Sequence, residues 1–385
     1  MIEKKLDFDT YIKFVRGGER SALVYITSVK AFNYLKQDFK ITHEFPFIRA
    51  VAVSGDFNEI RRLSTSPYVE YITSQSRVFA LENDKKTEAG SDDGGGRLSK
   101  VLSEIDAPPS EGVPISERIE KLSLTTPLTG KGVTLAVLDT GIQPHLDISF
   151  PINRVKAFYD VYGGTEPYDD NGHGTFVAGI AAGSGIVSGK KLKGVAPDAE
   201  LVGVKVIGSS GECGAFNVLE GMQWVLNNAK LLNIKVVCMS FGSSPLSSGD
   251  PLKLGAEVLV KNNMTVVCAA GNSGEDGLKS PAVSPDVISV GAVDGDLNEA
   301  DFSSRGYFSG IRRPDIYAEG VAVTGLNYRG TYTVMSGTSV SAPYIAGAAC
   351  LLYEKYRGLS PRDVKSMLIK SAEEYGGKRV IRFEK

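Results

Sequence analysis

The sequence predicts an α/β fold in which a doubly wound, mainly parallel sheet is preceded by a smaller α+β unit. Two observations carry this prediction. From about residue 128, short apolar runs alternate with helical stretches, a pattern typical of parallel strands joined by crossover helices. Before that point, a polar, glycine-rich stretch at 82–96 separates an N-terminal part from the rest. At 385 residues, the chain is long enough for one large domain and one small domain.

The N-terminal part, residues 1–81, contains strand patterns around a short helix. The predicted strands are Ser21–Thr27, Phe47–Ser54 and Val69–Thr73, and the predicted helix is Asn58–Ser64. Their spacing fits a ferredoxin-like β-α-β-β-α-β unit, although an ordinary accessory domain is the alternative. Residues 82–96 have no apolar anchor, so we expect a flexible, protease-accessible linker before a large domain at 97–385.

The large domain is predicted from nearly continuous apolar runs, which are typical of strands buried on both faces. The strands are Val133–Leu138, Leu201–Ile207, Lys235–Ser240, Met264–Ala270 and Val287–Val293, and the helices are Phe176–Ala182, Ala215–Leu232 and Leu252–Asn262. In such sheets the chemistry gathers beyond the carboxyl ends of the strands. Polar residues at those ends are therefore the first candidates for function.

Composition argues against several functions. The net charge of −2 gives no electrostatic reason to expect binding to nucleic acid or to an anionic membrane. No run approaches the roughly 18 apolar residues of a spanning helix, and residues 1–9 lack the apolar core of a secretory signal. The four cysteines show no Cys-x-x-Cys spacing, so we expect reduced thiols and a cytoplasmic protein.

An acid and a base are the first catalytic candidates. Asp139 follows the strand Val133–Leu138 and precedes a glycine, where it can either orient another side chain or form a turn. The sequence has three histidines, and His173 lies between two glycines that leave its imidazole room. A lone histidine is more often structural, but these features favour His173 as a general base.

A nucleophile and an amide donor complete the set. Ser339 lies at the mouth of an apolar helix that continues to Leu352, near free N–H groups and the positive end of the helix dipole. Taken alone, such a serine is more often an N-cap. Asn272 ends an apolar strand, where its amide can point into a site or form a turn. Together these residues follow the Asp…His…Ser order of one kind of catalytic triad.

Four short stretches carry a family resemblance: Asp139–Ile142, Asn171–Thr175, Ala270–Ser273 and Gly337–Pro343. In this order they resemble the signature motifs of the subtilase family of serine proteases. The segments Glu166–Thr175 and Leu201–Val206 resemble in particular those of the bacterial intracellular alkaline serine proteases. The resemblance covers about residues 95–375 and implies a subtilisin-like fold with endopeptidase activity. It implies that Ser339 is the nucleophile, His173 the general base and then acid, and Asp139 the buried residue that orients the imidazole. Asn272 and the N–H of Ser339 would form the oxyanion hole.

The resemblance also implies how protein or peptide substrates bind. Two edge segments are expected to pair with an extended peptide: Gly211, Glu212, Cys213 and Gly214 in one, and Ser240, Phe241 and Gly242 in the other. Ala269 and Gly271 would form the floor of a pocket for a large apolar or aromatic residue before the cleaved bond. Glu212 is expected to favour basic residues nearby, and Phe241, where the family commonly has leucine, to narrow a pocket.

The N-terminal unit resembles the inhibitory propeptide of subtilases, which places its tail through the active site. The chain's own propeptide is therefore an expected partner, and self-cleavage is expected after Leu81 or within the 82–96 linker. No cofactor is expected. The loop 182–193, where many secreted relatives bind calcium, has no carboxylate or amide side chain and contains several lysines, so that site is expected to be absent and Asp147 to lose its usual role.

Two other functions compete with this interpretation. A catalytically quiet subtilase could act as a regulatory binding module, but such proteins usually lose a triad residue, and none is missing here. An acyl hydrolase acting on small esters would usually carry a Gly-x-Ser-x-Gly elbow, which does not occur at Ser339. The expected activity is therefore that of a serine endopeptidase made as a self-inhibited precursor.

Overall fold

The computed structural model describes residues 5–17, 20–81 and 128–381. The predicted linker at 82–96, and the start of the large domain at 97–127, lie outside the described residues. In the ranges that are described, no helix has both the length and the apolar character needed to cross a membrane.

The N-terminal unit is a four-stranded antiparallel sheet with the order β2-β3-β1-β4. Its elements are α1 (Phe8–Val15), β1 (Ser21–Ile26), α2 (Ala31–Asp38), β2 (Lys40–Phe45), β3 (Ala50–Ser54), α3 (Phe57–Ser64) and β4 (Val69–Ser74), with a 3₁₀ turn at Pro46–Ile48 between β2 and β3. From β1 to β4 the chain follows the predicted β-α-β-β-α-β order. A final strand, β5 (Arg77–Ala80), leaves this sheet and pairs with the large domain.

The start of the helix α3 is determined by its local sequence. The α3 helix begins with a capping box, in which the Asp56 side chain accepts a hydrogen bond from Glu59 N while the Glu59 side chain accepts one from Asp56 N. Ile60 and Leu63 occupy the inward face of α3 and pack into the small core between the helices and the sheet. The unit therefore has a hydrophobic core of its own, and the other face of its sheet remains available for the large domain.

The large domain is built on one sheet of nine strands among the described residues, in the order β19-β20-β16-β13-β12-β10-β6-β8-β7. Every neighbouring pair is parallel except β19 with β20 at one edge. The strands of this sheet are β6 (Thr134–Asp139), β7 (Val155–Asp160), β8 (Glu200–Lys205), β10 (Ile234–Met239), β12 (Thr265–Ala269), β13 (Ile288–Val293), β16 (Ile316–Glu319), β19 (Glu373–Tyr375) and β20 (Lys378–Val380). The predicted doubly wound, mainly parallel sheet is confirmed.

Helices cover both faces of this sheet. They are α4 (Leu146–Ser149), α5 (His173–Ala182), α6 (Ala215–Asn228), α7 (Pro251–Lys261), α8 (Thr338–Lys355) and α9 (Pro361–Ser371). Short strands outside the sheet are β9 (Glu212–Gly214), β11 (Phe241–Gly242), β14 (Gly306–Phe308), β15 (Ile311–Arg313), β17 (Val323–Leu326) and β18 (Tyr332–Met335).

The two faces of the sheet belong to two hydrophobic clusters, because alternate residues of a strand point in opposite directions. Leu135 and Val137 of β6 lie in the cluster that contains α5 and α8, whereas Ala136 and Leu138 lie in the cluster that contains α6 and α7. All of α8 except its last three residues, that is from Thr338 to Leu352, is buried. This explains why its sequence is made of small and apolar residues without a polar stripe.

The N-terminal unit packs on the face that carries α6 and α7. Phe45, Ile48 and Ala50 belong to the same hydrophobic cluster as the buried residues of these two helices. The hydroxyl of Tyr25 donates a hydrogen bond to Gly249 O, 3.0 Å away, just before α7. The unit is thus held against the large domain by an apolar surface, and its last strand, β5, lies between β9 and β11 of that domain.

The predicted elements are present with shifted ends, whereas several others were not predicted, among them β2, α1 and α2 in the N-terminal unit and β7, β16, β19, β20 and α9 in the large domain. Asp139 is the last residue of β6 rather than the residue after it, and the helix predicted from Phe176 begins at His173. The strand β2 could not be predicted from a hydrophobic pattern, because it is an edge strand whose side chains are mostly exposed and polar. The short helices α1 and α2 were missed because eight residues give too few turns for a clear period.

Candidate active site

Asp139 and His173 form a buried pair at the carboxyl end of β6. The Nδ1 atom of His173 lies 2.7 Å from Oδ1 of Asp139, and both side chains are almost completely inaccessible to solvent. The same carboxylate oxygen accepts a hydrogen bond from Thr140 N at 2.7 Å. Because Nδ1 faces the carboxylate, Nε2 is the ring nitrogen that is directed to proton transfer.

Gly174 makes this close approach possible. A Cβ atom at Gly174 would lie 2.1 Å from Gly141 O and 3.0 Å from the Asp139 Cβ. The first turn of α5 therefore packs directly on the end of β6, without an intervening side chain. The glycine after His173 has a steric role as well as the predicted one of leaving the imidazole room.

Asp169 holds the loop that carries His173, and the sequence reasoning did not single it out. Its Oδ1 accepts hydrogen bonds from Gly172 N at 2.8 Å and Thr140 Oγ1 at 2.9 Å, and its Oδ2 accepts them from both N and Oγ1 of Thr175. One buried carboxylate thus ties the residue after Asp139 to the start of α5. A buried acid before a glycine-flanked histidine was the available signal, but an Asp-Asp-Asn-Gly stretch is also typical of an exposed turn.

Ser339 and Asn272 converge on a single carbonyl oxygen, that of Leu81. The Ser339 hydroxyl donates to Leu81 O at 2.5 Å, and the Asn272 amide nitrogen donates to the same oxygen at 2.6 Å. The amide is held in this orientation because its own oxygen accepts from both N and Oγ1 of Thr338, each at 2.9 Å. This is the arrangement expected of a nucleophile and an oxyanion-hole donor around a reacting carbonyl.

The N-cap alternative for Ser339 is wrong. The N-cap of α8 is Gly337, and no side-chain hydrogen bond caps the helix. Ser339 is the second helical residue, and its N–H belongs to the first turn, where backbone donors have no acceptor within the helix. A Cβ at Gly337 would lie only 2.4 Å from Leu81 O, so only glycine leaves space for this carbonyl.

The strand β5 fills a groove between the two predicted edge segments. It pairs antiparallel with β9 on one side and with β11 on the other, so that Val78 is opposite Cys213 and Ala80 is opposite Phe241. Ala80 N donates to Gly211 O at 3.0 Å and Leu81 N donates to Ser240 O at 3.2 Å. Ser240 also contacts the backbone of Ser339, since its hydroxyl donates to Ser339 O at 2.9 Å.

The side chains of this segment differ in how much they are exposed to solvent. Leu81 is 6% exposed and lies in the same hydrophobic cluster as Ala269, whereas Phe79 is 41% exposed. Val78 is fully buried in the other cluster, together with the ring of Phe241. The groove therefore offers two apolar environments, one around Leu81 and one around Val78, which is three residues earlier in the chain.

The other predicted cleft residues have distinct positions. Glu212 is exposed opposite Phe79, and Gly214 is opposite Arg77. Gly271 directly precedes Asn272, and its N–H donates to Thr338 Oγ1. A Cβ atom added at Gly271 would come within 2.7 Å of side-chain atoms of Lys279 and Ser304. The thiol of Cys213 is shielded on β9, and burial raises its pKa to about 12.

The position expected to lack calcium is occupied by protein donors. Asp147 is fully buried; its Oδ1 accepts from Val187 N at 2.8 Å and its Oδ2 accepts from Tyr332 OH at 2.7 Å. The loop 182–193 offers hydroxyl and backbone oxygens but no side-chain carboxylate or amide. Calcium prefers six to eight oxygen ligands, so this donor set does not fit the ion.

The comparisons with known proteins agree on one family. The sequence model described as the subtilase family matches residues 130–383. Serine protease AprX from Bacillus subtilis (strain 168) is 38% identical over 280 residues, covering 64% of this chain and 63% of that protein. The alignment therefore spans less than two-thirds of AprX.

Longer alignments and a solved structure extend this similarity. An alkaline protease from Alkalihalobacillus alcalophilus is 32% identical over 339 residues, covering 88% of this chain and 78% of that protein. Among solved structures, a cold-adapted subtilisin-like serine proteinase superposes with a TM-score of 0.58 at 29% identity, covering 70% of this chain and 91% of that one. The fold, the order of the motifs and the geometry of the site thus all agree with the family that the comparisons indicate.

Proposed function

This chain belongs to the subtilase family of serine proteases, and we propose that it is an endopeptidase made as a precursor, which cleaves itself after Leu81 and is inhibited by its N-terminal unit until that unit is released. The observation that carries the proposal is the meeting of Ser339 Oγ and Asn272 Nδ2 at the carbonyl oxygen of Leu81. A backbone carbonyl held by these two groups, at the end of a strand paired on both sides, has the position of a substrate carbonyl.

In the proposed reaction, Ser339 Oγ attacks the carbonyl carbon of the bond to be cleaved while His173 takes its proton. Asp139 keeps Nδ1 of the imidazole protonated and stabilises the imidazolium. The negative charge that develops on the carbonyl oxygen is stabilised by the Asn272 amide and the N–H of Ser339. His173 then gives the proton to the leaving amine, which leaves a Ser339 ester.

Water completes the reaction. His173 removes a proton from a water molecule that attacks the ester carbonyl, and the second tetrahedral intermediate collapses to release a carboxylate and regenerate the Ser339 hydroxyl. In the first, intramolecular round, this carboxylate would belong to Leu81 and the leaving amine to residue 82. Later rounds would act on other polypeptides.

Self-inhibition is supported by how β5 is held. The strand has hydrogen-bonded neighbours on both sides, and the N-terminal unit adds its own apolar interface with α6 and α7. Because the interface tethers the tail, the local concentration of the tail at the cleft is high, and cleavage of one bond would not by itself release it. We infer that the N-terminal unit stays bound as an inhibitor until it is degraded or dissociates.

Substrate preference is proposed from the residues of β5. An extended backbone would pair with Gly211–Gly214 and Ser240–Gly242, and a large apolar residue would occupy the position of Leu81 beside Ala269. Glu212, which is exposed, would favour a basic residue near the position of Phe79. A peptide library whose cleavage profile shows no basic preference would remove the role of Glu212 and leave the rest of the proposal intact.

Two further features belong to the proposal. We propose that the enzyme needs no cofactor and no calcium in the loop 182–193, because protein donors satisfy both Asp147 oxygens. We also propose a cytoplasmic protein, which its free cysteines support: Cys213, Cys238, Cys268 and Cys350, all within the described residues, form no disulfide.

Covalent labelling tests the activity. After processing and removal of the N-terminal unit, a fluorophosphonate probe is expected to label the wild type but not Ser339→Ala, and the labelled enzyme is expected to hydrolyse casein far faster than short-chain esters. A wild type that stays unlabelled after this removal would favour the catalytically quiet binding module. Labelling with ester turnover but no casein hydrolysis would instead favour an acyl hydrolase.

A further inference from the structure

Lys205 is a buried cation beneath the proposed active site. It is the last residue of β8, and its side chain is 1% exposed. Its ammonium group donates three hydrogen bonds, to Thr140 O at 2.6 Å, to Asp170 Oδ1 at 2.6 Å and to Ile207 O at 3.0 Å. All three donors of a lysine are therefore used by protein acceptors.

These three acceptors belong to the three chain segments from which the site is built. Thr140 follows Asp139, Asp170 lies in the loop that leads to His173, and Ile207 begins the segment that leads to β9 in the cleft. The backbone repeats the connection, because Asp139 is opposite Lys205 in the β6–β8 pairing and Asp139 O accepts from both Val206 N and Ile207 N.

Aromatic rings shield the ammonium from solvent. The centroid of the Tyr168 ring lies 5.1 Å from Lys205 Nζ, and that of Tyr162 lies 5.8 Å away. Each ring is itself fixed: Tyr168 OH donates to Asp160 Oδ2 and Tyr162 OH donates to Val206 O. The ammonium thus occupies a defined cage rather than a solvent-filled gap.

Burying this charge is costly, which argues against a role in packing alone. An ammonium taken out of water loses several kcal/mol of hydration, and its carboxylate partner Asp170 is 43% exposed, so the ion pair is only partly desolvated. An apolar side chain would fill the space without this cost. What the lysine adds is a rigid, charged connection between the Asp139 segment, the His173 loop and the cleft.

We propose that Lys205 is a positioning residue for the proposed proteolytic reaction. It fixes the backbone beside Asp139 and the loop before His173, so that the buried pair keeps its geometry while the imidazole gains and loses a proton. Its positive charge also opposes protonation of the imidazole between turnovers. This role rests on the proposed function, since it concerns the same Asp139–His173 pair.

The test compares two substitutions of opposite electrostatic sign. Lys205→Met keeps an unbranched side chain that is shorter by only one atom, but it removes the charge and all three hydrogen bonds. Asp170→Asn keeps an oxygen acceptor but removes the negative charge that compensates the ammonium. The charged and titratable groups around this site are Asp139, His173, Asp160, Asp169, Asp170, Tyr162, Tyr168 and Cys213.

Kinetics on a peptide substrate, normalised to fluorophosphonate-titrated active sites, give the readout. For Lys205→Met we expect kcat to fall about 10- to 100-fold with little change in KM, because the reacting groups are displaced rather than the substrate. The midpoint of the acidic limb of kcat/KM should move to higher pH in Lys205→Met and to lower pH in Asp170→Asn.

A matched control is available in Lys365. Like Lys205, it is mostly buried and bonds two backbone carbonyls and one carboxylate. These acceptors are Pro285 O, Val287 O and Asp315 Oδ2, which lie just before the amino-terminal ends of β13 and β16. Lys365→Met should lower the thermal stability but leave kcat and the acidic midpoint unchanged.

Three results would overturn the proposal. These are wild-type kcat with an unmoved acidic limb in Lys205→Met, an equal loss in Lys365→Met, and the same direction of shift in both charge variants. If Lys205→Met does not fold, Asp170→Asn decides the question alone, because its affected side chain is partly exposed. A wild type without Ser339-dependent labelling is a different result, which rejects the proposed function itself and this role with it.

Discussion

The hydroxyl of Ser339 lies 2.5 Å from the carbonyl oxygen of Leu81, although the two residues are 258 positions apart in the chain. Leu81 ends the N-terminal unit and directly follows β5, the strand that pairs with β9 and β11 of the large domain. It joins two otherwise independent features, a serine with an amide donor beside it and a small domain with its own core. The account of this protein as a self-inhibited protease depends on that contact.

The first prediction concerns the oxyanion donor. Asn272→Ala removes the amide that donates to Leu81 O, and kcat should fall by about 10²–10³ with KM nearly unchanged, because the lost hydrogen bond matters most in the transition state. Asn298→Ala, in an exposed loop, is the control. Equal kcat values for Asn272→Ala and wild type would remove Asn272 from the mechanism.

The second prediction concerns the space around the reacting carbonyl. Gly337→Ala places a methyl group 2.4 Å from the position of Leu81 O, so kcat/KM should fall by about 10²-fold or more. Gly330→Ala is a demanding control, since Gly330 has a positive φ of 87° but nothing within 4 Å of an added Cβ. Backbone strain alone should appear in both variants, whereas loss of activity should appear only at Gly337.

The third prediction concerns metal independence. Because Tyr332 OH and Val187 N satisfy the Asp147 carboxylate, EDTA should leave the Tm unchanged. Tyr332→Phe should lower stability by about 1–3 kcal/mol, the usual value of a hydrogen bond to a charged group, and Tyr307→Phe, at an exposed tyrosine, should not. A large drop in Tm with EDTA, reversed by calcium, would show that calcium binds after all.

The fourth prediction concerns Cys213. Burial raises the pKa of this thiol to about 12 from an ordinary value of 9.0, so the thiolate fraction is about 10³-fold smaller at a given pH. The raised pKa disfavours the reactive thiolate, so alkylation should become appreciable only at strongly alkaline pH. In the uncut Ser339→Ala protein, iodoacetamide at pH 8 should therefore modify Cys213 much more slowly than after unfolding.

The same thiol provides a test of the cleft. Once β5 has left, Cys213 would line the open groove, and a bulky thiol reagent should inhibit the processed enzyme without reacting at Ser339. Cys213→Ser is expected to keep its activity and to resist the reagent. Rapid modification in the uncut protein, or no inhibition in the processed one, would contradict the position given to Cys213.

Much of the large domain could be predicted because its strands are continuous apolar runs and its catalytic candidates lie at their ends. Asp139 and Asn272 were found by that rule, Ser339 by its place at the mouth of an apolar helix, and all three by the family motifs. No role was predicted for Asp169 or Lys205, because their importance comes from contacts between segments that are distant in sequence. In the sequence alone, a lysine at the end of an apolar run indicates only where a strand ends.

The N-terminal unit shows the same limit. Its core strands were predicted from β-branched residues, but β2 was missed because an exposed edge strand has little hydrophobic pattern. Only the resemblance to a family suggested that Arg77–Leu81 lies in the cleft, and the register against β9 and β11 could not be read from five residues. Pairing partners on both sides, rather than local propensity, determine the conformation of this strand.

The most direct measurement is intact-mass spectrometry of the purified wild type beside Ser339→Ala. The account predicts that the wild type separates into a fragment ending at Leu81 and a fragment beginning at residue 82, with possible later trimming inside 82–96, while Ser339→Ala remains one uncut chain. The two proteins should otherwise have the same fold by circular dichroism. An uncut but active wild type, or an identical cut in Ser339→Ala, would contradict self-cleavage by Ser339 at the carbonyl of Leu81.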